Sequence, residues 1–227
     1  MTRRDLVRVS GPDTWTFLQS LLSQDLDGMS DGDRQATLLL TPQGKVDVVG
    51  EISRSGDDAL IETEPGWGEQ LVASLARFKI RTKVEFAVEP APTVGPEGFA
   101  VEEAERIAAG IPRMGADLDG SVIPQEAFLE QNAVSFTKGC FIGQELVCRI
   151  DSRGHVNRFL RHLVPEDSSR TLAVGAEITV DGKVVGSVTS AAPGIAMGFV
   201  RREVDPPASA SVDGVAVRVE VIAQSME

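Results

Sequence analysis

Eight consecutive residues, Lys138-Gly139-Cys140-Phe141-Ile142-Gly143-Gln144-Glu145, join a cation, two glycines, a thiol and an adjacent amide and carboxylate. That mixture suits a site better than a core segment. Glycine lets backbone approach a ligand or adopt positive φ. A thiol beside a lysine is biased towards thiolate, its reactive form. Cys140 is therefore the first candidate for chemistry, as nucleophile, redox thiol or contact to a metal cluster, with Lys138 tuning it. Free cysteine also serves as a small buried hydrophobe, and spacing alone weighs the two readings evenly. Cys148, within Leu146-Val147-Cys148, reads as core. Gln144 and Glu145 offer donors and acceptors to a heterocycle, or else form a solvated first helical turn where the dipole favours glutamate. Phe141 is the aromatic best placed to stack on a ligand, whereas Trp15 reads as core. Arg149, Arg153, Arg158 and Arg161, with His155 and His162, make a basic stretch in an acidic chain. It could hold an anionic group or simply balance nearby acids on a solvated loop.

Other chemistries find less support. No local Ser-His-Asp or Cys-His-Asn signature is present, and His155 and His162 are the only histidines available as a base. The two cysteines are too few for a disulfide framework and match no zinc spacing. Free thiols fit a reducing cytosol, so a cytoplasmic location is expected. The formal net charge of −12 argues against nucleic acid and anionic membranes as partners. No apolar run follows Met1 and no long apolar window occurs, so neither a signal peptide nor a transmembrane helix is expected. Thr41-Pro42-Gln43-Gly44-Lys45 is no Walker loop and reads as a hairpin turn.

The elements that must position these residues are legible in outline. Strands are expected over 6–9, 36–40, 45–53, 59–63 and 83–88. A helix opens at Ser10-Gly11-Pro12-Asp13 and carries Trp15, Leu18, Leu21 and Leu22 on one face. A second follows Pro65-Gly66, with Leu71, Leu75 and Phe78 on its face. The order β-α-β-β-β-α-β contains the split β-α-β pattern of ferredoxin-like α+β folds, with one strand added. A proline-rich linker at 89–96 leads to a short helix over 101–109, then a loop, the eight-residue run and a helix over 145–149. From Phe159 the pattern is all-β. Val180-Asp181-Gly182-Lys183 and Val212-Asp213-Gly214-Val215 are matching Asp-Gly hairpin turns. A small barrel of five or six strands is predicted, and the expected domains are 1–89, 90–157 and 158–227.

The eight-residue run closely resembles the K-G-C-[FY]-x-G-Q-E signature of YgfZ-type folate-binding proteins. These are relatives of the glycine-cleavage T-protein, the tetrahydrofolate-dependent aminomethyltransferase. Weaker similarities follow in the same order: Val9 to Asp13 with Phe17 to Leu26, Leu40 to Val46, Phe78 to Val84, Gly110-Ile111-Pro112-Arg113 and Pro124-Gln125-Glu126-Ala127. The resemblance implies a ferredoxin-like part around a folate site, followed by a C-terminal barrel. It implies tetrahydrofolate or a one-carbon derivative as cofactor, and iron–sulfur client or scaffold proteins as partners. Cys140 inherits the functional thiol with Lys138, while Phe141, Gly143, Gln144, Glu145, Arg149 and Arg153 would line the folate pocket. No resident metal is implied, since iron–sulfur clusters take four cysteine ligands as a rule. A second activity, aminomethyl or methyl transfer, would use Asp47 as acid or base. Here Asp47-Val48 stands where aminomethyltransferases carry Asp-Asp, and Ala108 stands at the place of their pterin-anchoring glutamate. Those departures count against glycine cleavage more than against the YgfZ-like role. A third reading is a binding module that has lost folate.

Overall fold

The computed structural model describes residues 4–91 and 96–222. In β1 (Asp5–Ser10), β3 (Val46–Ser55) and β4 (Asp58–Thr63) buried residues alternate with partly exposed ones. That is the period of a sheet with one covered face. The cover comes from α1 (Thr14–Leu21), which buries Phe17, Leu18 and Leu21, and α2 (Gly68–Ala76), which buries Leu71 and Leu75. These side chains share one core with Val7, Val9, Val48, Ile52, Ala59 and Ile61. β2 (Arg34–Leu40) and β5 (Glu85–Glu89) complete a sheet of order β2-β3-β4-β1-β5 with antiparallel neighbours throughout. The ferredoxin-like pattern is the last four of these, and β2 is the added edge strand. Trp15 lies half-buried at the margin of this core, with Arg54 stacked 4.8 Å from its ring centroid.

Two compact units result: residues 1–93 with 119–154, and 94–118 with 155–227. The middle of the chain is thus divided between them. Within the first unit, Pro124–Glu126 forms a single 3-10 turn, followed by α4 (Glu130–Ala133) and α5 (Gln144–Arg153). α5 runs past the expected 145–149 at both ends. Part of the expected linker, 92–95, lies outside the described residues.

Asp5 closes the first unit. Its buried carboxylate accepts hydrogen bonds from the N–H groups of Gly66 and Gly68, each at 2.9 Å, and of Ala91 at 2.7 Å. It therefore caps the start of α2, where a negative charge meets the helix dipole, and pins the chain beyond β5.

Among the described residues, the second unit is a closed six-stranded barrel with one helix. Its strands are β6 (Arg158–Pro165), β7 (Glu177–Val180), β8 (Lys183–Ala192), β9 (Ile195–Arg201), β10 (Ala208–Val212) and β11 (Val215–Glu220), in the order β10-β11-β6-β9-β8-β7. A β7–β10 pair completes the ring and leaves no open edge. Both Asp-Gly turns have positive φ at each central residue, as the sequence predicts: 49° and 74° at Asp181 and Gly182, 49° and 78° at Asp213 and Gly214. Leu163, Ile178, Val188, Ala196, Val200, Val217 and Val219 share the apolar core of this unit.

α3 (Pro96–Ala108) starts earlier than its pattern suggests. It is tied to the barrel by a buried polar network. The Arg106 guanidinium donates to Glu103, to Asp117 and to Ser190 of β8, and Asp117 also accepts from the backbone of Arg113. Burial would lift Glu103, but Arg106 and Arg113 hold its carboxyl below the usual range. His162 on β6 meets the Ile107 carbonyl at 2.7 Å.

Asp5→Ala leaves three backbone donors without their acceptor, of which the Gly68 N–H is buried. Chemical denaturation of this variant is expected to show a loss of about 3 kcal/mol, whereas a loss within error would mean that water replaces the carboxylate.

Candidate functional site

The eight-residue run lies in the first unit, between α4 and α5. Its lysine points away from solvent. The Lys138 side chain donates to the backbone carbonyls of Gln19 at 2.8 Å, Leu22 at 2.8 Å and Gln24 at 2.7 Å, with the Gln19 amide oxygen at 3.3 Å. An ammonium has three donors, and these carbonyls use them. α1 ends at Leu21, so Lys138 satisfies carbonyls that a helix C-terminus leaves orphaned, at the end where the dipole favours a cation. Burial pushes its pKa down from 10.5 to about 8, against the pull of Asp25 and Asp27. Its charge also lies 5.6 Å from the Phe141 ring centroid.

The segment leading into the run is tied down as well. The Ser23 hydroxyl donates to the Ala133 carbonyl and accepts from Leu38 N–H, while the Ser23 carbonyl accepts from Ser135 N–H. Lys138 is 8% exposed and Phe141 6%, while Gly139 and Cys140 between them are exposed. The thiol is thus held out to solvent between two buried anchors. Of the two readings of Cys140, the small core hydrophobe does not hold. Cys148 on α5 is partly buried.

Gly143 starts α5 with φ of +76°. A Cβ there would lie 2.5 Å from the Thr41 carbonyl oxygen and 2.9 Å from Gly44 Cα. Gly44, with φ of +75°, has equally little room: a Cβ would lie 2.8 Å from Leu146 Cβ and 2.9 Å from the Gly143 carbonyl oxygen. The hairpin turn between β2 and β3 therefore packs directly on the N-terminus of α5. Sequence alone explained Gly44 by the turn; the structure adds a backbone-to-backbone contact with the run.

Behind α5 lie two polar groups that sequence reasoning missed. Gln125, 8% exposed, donates from Nε2 to the Val147 carbonyl at 3.0 Å, but its Oε1 has no partner. Glu130 Oε2 is likewise buried without a partner, and burial raises the pKa of this carboxyl, with the Asp151 charge adding to the rise. Val147 and Asp151 are one turn apart on α5. No sequence signal singles out these two oxygens, because Gln125 reads only as part of the lead into the run.

Residues 161–225 match the family described as CAF17, C-terminal beta-barrel domain. An aminomethyltransferase from Streptomyces avermitilis is 31% identical over 223 residues, covering 94% of this chain and 56% of that protein. The tRNA-modifying protein YgfZ of Yersinia enterocolitica is 38% identical over 73 residues, covering 32% of this chain and 22% of the relative. The human mitochondrial iron-sulfur cluster assembly factor IBA57 is 38% identical over 86 residues, covering 36% and 24%. The crystal structure of the glycine cleavage system aminomethyltransferase T from Bartonella henselae matches with a TM-score of 0.81 at 18% identity, covering 97% of this chain and 85% of that one. The chain is therefore similar to aminomethyltransferases over most of its length and to YgfZ and IBA57 over about a third of it, and it has the fold of the aminomethyltransferase T. It spans about half the length of the aminomethyltransferases it matches.

The eight-residue run is therefore built around a held thiol. Lys138, expected to tune Cys140, spends its donors on the end of α1 instead. Phe141, expected to stack on a ligand, is buried against Lys138. Gly143 is the hinge onto the Gly44 turn. Gln144 is partly buried. Glu145, Arg149 and Arg153 are exposed and follow one another at four-residue spacing, on one face of α5. The basic stretch is shared between the two units: Arg149 and Arg153 belong to the first, Arg158 and Arg161 to the second. Asp47 is partly buried on β3 and accepts from the Gln70 side chain at 3.2 Å, which joins it to α2 rather than to the thiol loop. Ala108, at the relatives' glutamate position, is exposed at the end of α3. Among the described residues, no three His, Cys, Asp or Glu side chains group to hold a metal ion, and no helix is long and apolar enough to cross a membrane.

The Lys138 proton gives a pH signature. The unfolded chain keeps it up to 10.5, and the folded chain releases it near 8. Folding sheds a proton between those values, so stability rises with pH across that window. Lys138→Met is expected to lower stability by about 2 kcal/mol at neutral pH and to abolish that rise, as read from urea denaturation across the window. A parallel rise in the variant would assign it to other groups. Gly44→Ala and Gly143→Ala are each expected to lose on the order of 2 kcal/mol. Their double variant loses less than the sum, because both disturb one contact.

Proposed function

We propose that this chain is a folate-binding protein that supports the maturation or repair of iron–sulfur enzymes, with Cys140 as its working thiol. The observation that carries the reading is the exposed Cys140 held between the buried Lys138 and Phe141. Nothing in the packing needs the thiol there. Solvent access suits a group that must meet a partner or a small molecule. The human relative's name assigns it iron–sulfur cluster assembly, and this chain is taken to act in the same field.

Folate fits the polar groups of the first unit. A pterin ring presents ring N–H and amino donors along one edge. Buried acceptors without donors are what such an edge requires, and Gln125 Oε1 and Glu130 Oε2 are two. Gln125 and Glu130 would hold the heterocycle in place of the carboxylate lost at Ala108. Gln144 would contribute further hydrogen bonds, and Arg149 and Arg153 would favour an anionic ligand. Folate supplies one-carbon chemistry when bound. The residues' own part is to bind and orient it and to present the thiol.

The transferase alternative has less behind it. Asp47 lacks the second acid of the aminomethyltransferases and is engaged by Gln70.

Two measurements test the proposal. Calorimetric titration with tetrahydrofolate is expected to show micromolar binding that weakens at least tenfold in Gln125→Met, from loss of one buried hydrogen bond. No binding at high micromolar levels would remove the folate role. In cells depleted of the endogenous protein, Cys140→Ala is expected to fold normally yet fail to restore iron–sulfur enzyme activities. Full restoration would remove the thiol from the mechanism.

A further inference from the structure

We propose that the loop joining α2 to β5 is a docking surface for an acidic, partly apolar segment of a partner protein. The loop lies within the first unit, and the proposal is independent of the folate reading. Arg77, Lys79, Arg81 and Lys83 place four cations in seven residues of a chain whose net charge is −12. Phe78 and Ile80 stand between them. The sequence pattern sets Phe78 with Leu71 and Leu75 on the buried face of α2, but the helix ends at Ala76, and Ala76 to Arg81 are all exposed. Phe78 is 37% exposed, and Ile80 at 76% is the most exposed large hydrophobic side chain among the described residues. A single apolar side chain in water is ordinary, whereas neighbouring ones rimmed by charge have the make-up of an interaction site.

The loop is held in shape at both ends. Phe78 N–H donates to the Leu75 carbonyl at 3.0 Å, Lys79 N–H to that of Ala76 at 3.2 Å and Ile80 N–H to that of Phe78 at 2.8 Å. At the far end the Asp13 carboxylate accepts from Lys83 N–H at 2.7 Å, and a Cβ at Gly11 would lie 2.3 Å from the Lys83 carbonyl oxygen. Between these ends Arg81 has φ of +60°, a conformation that costs any residue but glycine. Such strain persists only where the surroundings impose it, and it gathers at functional surfaces. A surface already fixed in shape loses little entropy on binding. The cations are short of counter-charges. Among the described residues, no salt bridge involves Arg77, Lys79, Arg81 or Lys83, and Lys79 lies 5.6 Å from the Phe86 ring centroid. The α2 dipole accounts for a cation at Arg77, but its reach ends with the last turn and does not explain Arg81 or Lys83. Even with Asp13 and Glu85 counted, the local balance is positive. A segment in which acids alternate with apolar residues matches both features of the loop. The acidic chain as a whole repels an extended polyanion such as RNA or a charged bilayer, while a short acidic segment meets only the field within about 10 Å. Ile80 also offers no ring on which a base could stack.

The probes are a fluorescein-labelled peptide of alternating glutamate and leucine, its counterpart with serine for leucine, poly(U) RNA and phosphatidylserine vesicles. Each is titrated against the full chain, the peptides and RNA by anisotropy and the vesicles by co-sedimentation. The glutamate–leucine peptide is expected to bind saturably at low salt and to weaken as salt rises. The serine counterpart is expected to bind about tenfold more weakly, and the same loss is expected for the leucine peptide with the surface variants I80S and R77Q/R81Q. R81G removes a cation and relieves the positive φ. Its thermal midpoint should match or exceed that of the parent while its binding weakens. No saturable binding of the glutamate–leucine peptide, equal affinity for the two peptides, or equal affinity in the parent and R77Q/R81Q would overturn the proposal. So would tighter binding of the RNA or the vesicles than of the peptide.

Discussion

One buried ammonium organises the first unit. Lys138 reaches back more than a hundred residues to close the end of α1 on the carbonyls of Gln19, Leu22 and Gln24. Burying a charge is costly unless hydrogen bonds compensate it, and here three carbonyls do. The same contact fixes the position of the next two residues. Phe141 packs against the charge, and Cys140 has no freedom to sink into the core. The lysine of the signature thus acts on the thiol through position. Its ammonium is committed elsewhere.

A second constraint comes from backbone meeting backbone. Gly44 and Gly143 approach so closely that neither tolerates a Cβ. The β2–β3 turn and the start of α5 become one rigid piece, with the thiol loop attached to it. Gln125 and Glu130 sit behind the same helix, with acceptor oxygens that no donor among the described residues satisfies. Buried orphan acceptors are rare in folded proteins because each carries a desolvation cost. Their presence beside an otherwise well-anchored helix is what supports the proposed ligand site.

Much of the fold was legible because it is written in local periodicity. β1, β3 and β4 fall where strands are expected from the sequence, and their buried and partly exposed residues alternate. The two Asp-Gly pairs marked barrel hairpins that adopt the required positive φ. The closed ring of six strands lies within the expected five or six. The longer extent of α3 and α5 was hidden because weakly apolar helix ends leave little pattern. The site was less legible, since its decisive contacts are distant in sequence. Asp5 joins Gly66, Gly68 and Ala91, Lys138 joins Gln19, and Gly143 joins Gly44. No spacing rule reveals which carbonyl a lysine will find. The motif identified the thiol, while only the packing revealed that its lysine is an anchor and its phenylalanine a wall.

The central claim is that this loop presents Cys140 to a folate site. The most direct test is the rate at which a maleimide modifies each cysteine of the native protein, followed by mass spectrometry with and without tetrahydrofolate. The account predicts that Cys140 reacts well ahead of Cys148 and that tetrahydrofolate slows its modification. Modification of Cys148 first, or a Cys140 rate indifferent to saturating folate, would contradict it.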